Sequence, residues 1–183
     1  MIFLYSVGPF KISLIGKNGV GKSTLMKFSG FEHFNANTKL TIGLDFYNYD
    51  YPIKSGNKND LARFSIWVYN PERRFKQMFY YYLTGSHGIF IMFDVSNLNS
   101  LNEIDSWMRV IRKRCKHIPV MLLGNKSDLT EHLESAKVLA ESIVKKYHLK
   151  GYYEISALES KNIELILTTQ AQTFLKKHFP NLV

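Results

Sequence analysis

Eight consecutive residues, Gly16-Lys17-Asn18-Gly19-Val20-Gly21-Lys22-Ser23, satisfy the pattern G-x-x-x-x-G-K-[ST]. Glycines at these positions let successive backbone N–H groups turn inward around a β-phosphate. The same turn opens a helix, whose N-terminal dipole favours anions. Lys22 adds a point charge directed at the β- and γ-phosphates, and the Ser23 hydroxyl is suited to ligate Mg2+. The candidate phosphate-binding residues here are Asn18, Gly19, Val20, Gly21, Lys22, Ser23 and Thr24. About 100 residues further on stands Asn125-Lys126-Ser127-Asp128. Guanine presents N1–H and an exocyclic amine side by side, and one carboxylate, Asp128, accepts from both. Adenine lacks that amine and would leave the carboxylate unpaired, which is how a polar site discriminates strongly. Asn125 is placed to tie this segment to the phosphate loop, and the Lys126 stem to cover a base face. A third string, Glu154-Ile155-Ser156-Ala157, offers a backbone N–H to the guanine O6.

The surrounding pattern supplies elements to carry these strings. Lys11 to Ile15 is a compact apolar run, the first strand, and residues 1–10 read as a short arm leading into it. Helical spacing follows from Lys22 to Phe31. Leu40 to Tyr51 and Leu61 to Tyr69 read as an antiparallel strand pair, separated by the polar stretch Pro52 to Asp60, which reads as a long loop. Pro71 to Leu83 is helical in spacing, and Gly88 to Val95 is apolar nearly throughout, as in a strand buried on both faces. Leu98 to Lys116, Leu133 to Tyr147 and Asn162 to His178 read as helices, with strands at Pro119 to Leu123 and Tyr152 to Ile155 between them. Such alternation predicts an α/β domain over residues 1–183, with a mainly parallel six-stranded sheet, one antiparallel edge strand and about five helices.

Composition narrows the class. Hydrophobic residues form 45% and charged residues 21% of 183, values that exclude a wholly disordered chain. The lone Cys115 forms no internal disulfide and suits a reducing compartment. No apolar run approaches the roughly 18 residues of a membrane span. The net charge is +9. A solvated basic surface, an anionic membrane, an acidic protein and a bound polyphosphate all fit that value, and charge alone does not choose among them. Arg112, Lys113, Arg114 and Lys116 crowd the end of one predicted helix, where cations meet the negative end of the backbone dipole.

The three strings, in this order and at these separations, resemble a small GTPase of the Ras superfamily over nearly the whole chain. The closest resemblance is to the Rab branch: Thr41-Ile42-Gly43-Leu44-Asp45-Phe46 is similar to its switch I, Trp67 with Arg74 and Phe75 frames a switch II of Rab length, and Leu122 to Leu129 is Rab-like. The resemblance implies a three-layer P-loop G domain that binds GTP and GDP with Mg2+ and acts in the cytoplasm as a regulatory switch, in signalling or membrane trafficking. Protein effectors or regulators would dock on switch I and switch II. It places Thr41 on Mg2+ and the γ-phosphate and makes Ser23 and Thr41 the metal ligands. Phe34 becomes either the aromatic that packs on guanine or a core aromatic under a helix end. Asn18 stands where Ras proteins carry glycine, and Leu158 stands where a lysine usually completes the guanine set with Ser156 and Ala157.

Departures concentrate in switch II, where Val68-Tyr69-Asn70-Pro71-Glu72 replaces the family's D-T-A-G-Q. Val68 accepts no hydrogen bond from Mg2+-bound water. Pro71 lacks the N–H that holds a γ-phosphate. Glu72 occupies the position of the catalytic glutamine, beside Lys22 as the other catalytic position, and its carboxylate adds like charge. The expectation is slow hydrolysis, unless Arg73 or Arg74 compensates in cis. A non-switching binding module using nucleotide as a structural ligand is the alternative. In it, the run Phe79-Tyr80-Tyr81-Tyr82 is a partner contact, although a buried aromatic cluster explains the same residues. No nucleic-acid module accompanies the charge. The family's C-terminal cysteine has no counterpart after Cys115, and Ile2 excludes myristoylation, so no lipid anchor is expected and only weak, salt-sensitive contact with an anionic membrane remains.

Overall fold

The computed structural model describes residues 6–28, 32–33, 44–55, 58–69, 79–115, 117–129 and 133–180. In chain order these are β1 (Ser6–Ile15), α1 (Lys22–Phe28), β2 (Glu32–His33), β3 (Leu44–Ser55), β4 (Lys58–Tyr69), α2 (Phe79–Leu83), β5 (Gly88–Asp94), α3 (Ile104–Cys115), β6 (Val120–Asn125), α4 (Leu133–Tyr147), β7 (Gly151–Glu154) and α5 (Ile163–His178). A 3-10 turn, Leu98–Leu101, precedes α3. Asn97 caps that turn, its side-chain oxygen accepting from the Asn99 N–H, and so divides what the sequence reads as one helix from Leu98.

All the strands join one sheet, in the order β2-β3-β4-β1-β5-β6-β7. β4, β1, β5, β6 and β7 are parallel, and β3 alone runs against them. The six expected strands are therefore present, and the two-residue β2 adds a seventh outside β3. Period-two alternation splits the apolar residues into two cores. Ile12, Leu14, Phe90, Met92, Met121 and Leu123 face α1 and α5. Ile89, Ile91, Phe93, Val120 and Leu122 face α2, α3 and α4. This is the three-layer α/β fold that the alternation predicts. No helix among the described residues is long and apolar enough to cross a membrane.

Two further expectations change. The polar stretch Pro52 to Asp60 is mostly strand: Ile53 pairs with Asp60, Lys54 with Asn59 and Ser55 with Lys58. Pro52 is tolerated because, beyond the short β2, β3 is an edge, where a missing N–H costs no ladder bond. Gly56-Asn57 between the strands is a two-residue hairpin signal that the polarity of the stretch obscures. The arm ahead of Lys11 is, from Ser6 onward, part of β1, with an irregularity in pairing between Val7 and Phe10. Gly8 makes it feasible, since its φ is +126° and a Cβ there would lie 2.5 Å from the Arg63 carbonyl oxygen.

Each described helix returns against the parallel strands, so these helix C-termini gather at the end of the sheet opposite the three motif-bearing loops. Arg112 shows what basic residues do there: its guanidinium donates to the Tyr147 carbonyl closing α4 (2.9 Å) and to the Ile118 carbonyl (3.4 Å). Part of the basic excess is thus bound to helix ends.

Beside β1, the Phe174 ring packs against Phe10 (4.4 Å between centroids), His87 (5.2 Å) and His178 (4.5 Å). His87 Nδ1 accepts the Lys11 N–H at 3.0 Å. Burial, then the proximity of His178, draws the His87 pKa below the usual 6.5. The folded state therefore prefers neutral His87, while the unfolded chain takes up a proton near pH 6.5, so stability falls as pH drops below that value. His87→Asn, which keeps an acceptor without the titration, should flatten the decline in thermal unfolding midpoint between pH 7 and pH 5.

Candidate functional site

The three motif-bearing loops leave the C-terminal ends of β1, β6 and β7, strands on either side of β5, and converge at one edge of the sheet. The first runs from Ile15 into α1 and encloses a cavity of about 290 Å3 lined by Asn18, Gly19, Gly21, Lys22, Ser23 and Thr24. Val20 turns the other way, 1% exposed, and plugs the loop into the core beneath α1. Gly16 passes so close to β5 that a Cβ would lie 2.3 Å from the Met92 carbonyl oxygen.

Lys22 is 4% exposed, and its ammonium donates to the Gly16 and Lys17 carbonyls at 2.8 and 2.9 Å. Burial, with no carboxylate facing it among the described residues, pulls its pKa down to about 8. A cation held this way, by two neutral carbonyls at the wall of a cavity, is poised to exchange them for an anion.

Asn125 is the hinge pin of the site. Its amide nitrogen donates to the Val20 carbonyl (2.8 Å), and its amide oxygen accepts from the Ala157 N–H (2.8 Å). One buried side chain therefore holds all three loops. The approach is so tight that a Cβ on Gly21, at φ +103°, would fall 2.3 Å from Asn125 Nδ2. Asp128 is exposed, and the buried Ser156 hydroxyl donates to its Oδ1 at 2.5 Å, which orients the carboxylate. Lys126 leaves β6 in the left-handed region, φ +67°, and its ammonium meets Asp94 Oδ2 at 2.5 Å.

The sequence-predicted residues thus divide. Asn18, Gly19, Gly21, Lys22, Ser23 and Thr24 come together at one cavity, while Val20 faces the core and offers only its carbonyl to Asn125. Asn125 also holds Ala157, Asp128 is held by Ser156, and Lys126 is held by Asp94. Leu158 is 61% exposed in the turn after Ala157. Of the string expected to offer a backbone N–H to guanine O6, the Ala157 N–H is engaged by Asn125 and the Ser156 N–H donates to the Lys161 carbonyl. Phe34, Thr41 and Glu72, with Pro71, Arg73 and Arg74, lie outside the described residues. The aromatic run divides as well. Phe79 is buried and Tyr82 packs on Tyr69, whereas Tyr80 and Tyr81 are 43% and 79% exposed. Asp94 was legible only as one acid closing an apolar run.

Val68 ends in the apolar core, 0% exposed and clustered with Val20 and Met92. A Mg2+ ion fits this donor set in part: Ser23, with its hydroxyl, lines the phosphate cavity, but Val68 supplies no side-chain oxygen, and no cluster of three acidic, His or Cys ligands occurs among the described residues.

Comparison with known proteins follows the same lines. The Ras family model matches residues 11–176. Ras-related protein Rab-8B of Homo sapiens is 31% identical over 169 residues, covering 92% of this chain and 79% of that protein. Ras-related protein Rab-10 of Diplobatis ommata is 33% identical over 174 residues, covering 92% and 82%. Ras-related protein Rab-11B of Dictyostelium discoideum is 30% identical over 155 residues, covering 84% and 68%.

Two measurements follow from this geometry. Gly21→Ala must relax a forbidden contact and an unfavourable φ, at about 1–3 kcal/mol, so guanine-nucleotide affinity should fall at least about fivefold. Because an anion stabilises the protonated form of Lys22, nucleotide affinity should be flat below pH 8 and decline above it, by up to about tenfold per pH unit while a single proton is linked. A dissociation constant followed from pH 7 to pH 9.5 reads that slope.

Proposed function

The chain belongs to the Ras family, near its Rab branch, and on that premise we propose a small GTP-binding regulatory protein in which nucleotide capture is retained and hydrolysis is slow. The family accounts for the general activity, conversion of GTP to GDP and phosphate. The finer reading concerns what this chain does with that inheritance.

The cavity bounded by residues 18–24 receives the phosphates, with Lys22 turning from backbone carbonyls to the β- and γ-phosphates. Asn125 holds the base-reading loop against it, and Asp128, oriented by Ser156, selects the guanine edge. Leu158 and Phe34 complete the guanine surroundings. Mg2+, when bound, offsets phosphate charge; Ser23 holds it, together with Thr41. The observation that carries slow hydrolysis is Val68. A position where the family places a metal-orienting carboxylate is here an apolar side chain sealed in the core. Few protein oxygens then remain for a cation that prefers carboxylate help. Pro71 and Glu72 compound the effect by removing an amide donor and a neutral, water-orienting amide.

Partners reach the protein through the surface that includes Leu44 to Phe46, Trp67 and α2. Trp67 is wedged between the Phe46 ring, edge-on at 4.8 Å, and the Lys11 ammonium, 3.7 Å from its centroid, so this patch is rigidly backed. Tyr80 and Tyr81 supply exposed aromatic area beside it. An effector that reads this surface would place the protein in cytoplasmic signalling or membrane trafficking, with basic side chains adding weak, salt-sensitive attraction to an anionic membrane. The buried Val68 equally favours a second reading, in which nucleotide is a permanent structural ligand and the surface does not switch.

Purified protein should retain GDP or GTP, and chelating Mg2+ should change the GDP release rate by less than about tenfold, because few protein ligands tie the ion to the site. Single-turnover GTP hydrolysis should be slow and should accelerate in Pro71→Gly/Glu72→Gln, a variant that leaves the buried Val68 in place. Rapid hydrolysis by the unaltered protein, or strong Mg2+ dependence, would sink the slow-hydrolysis reading. Equal partner binding by the GTP and GDP forms would favour the structural-ligand reading.

A further inference from the structure

Asp94 closes β5, and its neighbour in the sheet is Asn125, the last residue of β6. The two side chains divide the work of that edge. Asn125 turns toward the phosphate loop, and Asp94 turns toward the residue after Asn125.

Asp94 is 7% exposed, and its carboxylate is engaged at both oxygens. Oδ1 accepts the Ser96 N–H at 2.9 Å and the Ser96 hydroxyl at 2.6 Å, and Oδ2 accepts the Lys126 ammonium at 2.5 Å. Burial alone would raise this carboxyl, but the Lys126 and Ser96 donors outweigh it and keep it below the usual range. Its backbone is fixed as well. The Asp94 N–H donates to the Ser100 hydroxyl (2.9 Å), which donates in turn to the Asn97 carbonyl (2.7 Å). The same turn receives the phosphate loop, since the Lys17 ammonium donates to the Asn99 carbonyl at 2.9 Å. Residues 94–100 therefore form a braced strut that touches the phosphate loop at one end and the base-reading loop at the other.

Lysine side chains lose considerable rotamer freedom when ordered. A lysine that must lie along the face of a purine binds better when that ordering precedes the ligand. Resting on the guanine-nucleotide reading above, we infer that Asp94 is a positioning residue for base binding: it clamps the Lys126 ammonium at its far end, so that the four-carbon stem is held as a preformed floor for the guanine ring. The carboxylate does not touch the nucleotide. It acts through Lys126 and through the strut.

The test is a cycle on the full chain, with GDP release followed by displacement of a fluorescent guanine nucleotide. Asp94→Asn, Lys126→Met and the double variant are compared with the unaltered protein, and thermal unfolding reports folding in each. A charge-assisted hydrogen bond carries about ten- to hundredfold in an equilibrium. Asp94→Asn should therefore release GDP about tenfold faster or more, Lys126→Met should do the same, and the double variant should be no faster than the faster single one. GDP and inosine diphosphate, which lacks the exocyclic amine, should lose affinity by the same factor in Asp94→Asn, because a ring face is affected rather than the Asp128 edge. Unchanged or slower release in Asp94→Asn, multiplying effects in the double variant, or a loss confined to GDP would overturn the assignment. Failure of the unaltered protein to bind GDP would instead strike the guanine reading on which it rests.

Discussion

A single buried amide organises the functional end of this molecule. Asn125 reaches the phosphate loop through the Val20 carbonyl and the last loop through the Ala157 N–H, both at 2.8 Å. It uses its donor on one side and its acceptor on the other, so neither the amide nor the two backbone groups it meets are left unpaired in a dry setting. Three loops separated by long stretches of chain thus become one site. The constraint propagates. Gly21 has no room for a Cβ because Asn125 is there, and Gly16 has none because the loop is pressed against the Met92 carbonyl. Val20 must be apolar because the loop drives it into the core.

The electrostatics follow from this packing. Lys22 is buried without a carboxylate among the described residues and rests on two carbonyls, a position from which a phosphate is a better partner than its present ones. Asp94 and Lys126 are the reverse case, a buried acid and a partly exposed lysine already matched. The contrast separates a cation kept available for ligand from one whose charge is spent on holding its own stem still. Val68 belongs to neither group. Its side chain is ordinary core.

The fold was legible to different depths along the chain. Gly88 to Val95 and Val120 to Leu123 read correctly because an apolar run of strand length, flanked by turns, has few other destinies. The hairpin read poorly because its far end is polar on both faces, and only cross-strand pairing distinguishes it from loop. Residues 6–10 read as an arm because Gly8 and Pro9 signal a break. In the structure they mark an irregularity in a strand whose Phe10 closes an aromatic cluster with Phe64 and Phe174. The helix from Leu98 divided because Asn97 and Ser100 compete for backbone groups that a longer helix would have used.

Residue type and spacing along the chain settled which groups exist to bind phosphate and guanine, because glycines, a lysine, a serine and an acid in those patterns carry their chemistry with them. They also settled that the residue at position 68 offers no side-chain oxygen. Tertiary structure decided who partners whom. That Asn125 spends both ends of its amide on the other two loops, that the Ala157 N–H is taken, and that Asp94 holds Lys126 are consequences of β5 lying between β1 and β6. Partnerships of this kind depend on which strands are neighbours, and sheet order is set by burying two apolar faces at once, a property of the whole chain rather than of any short segment.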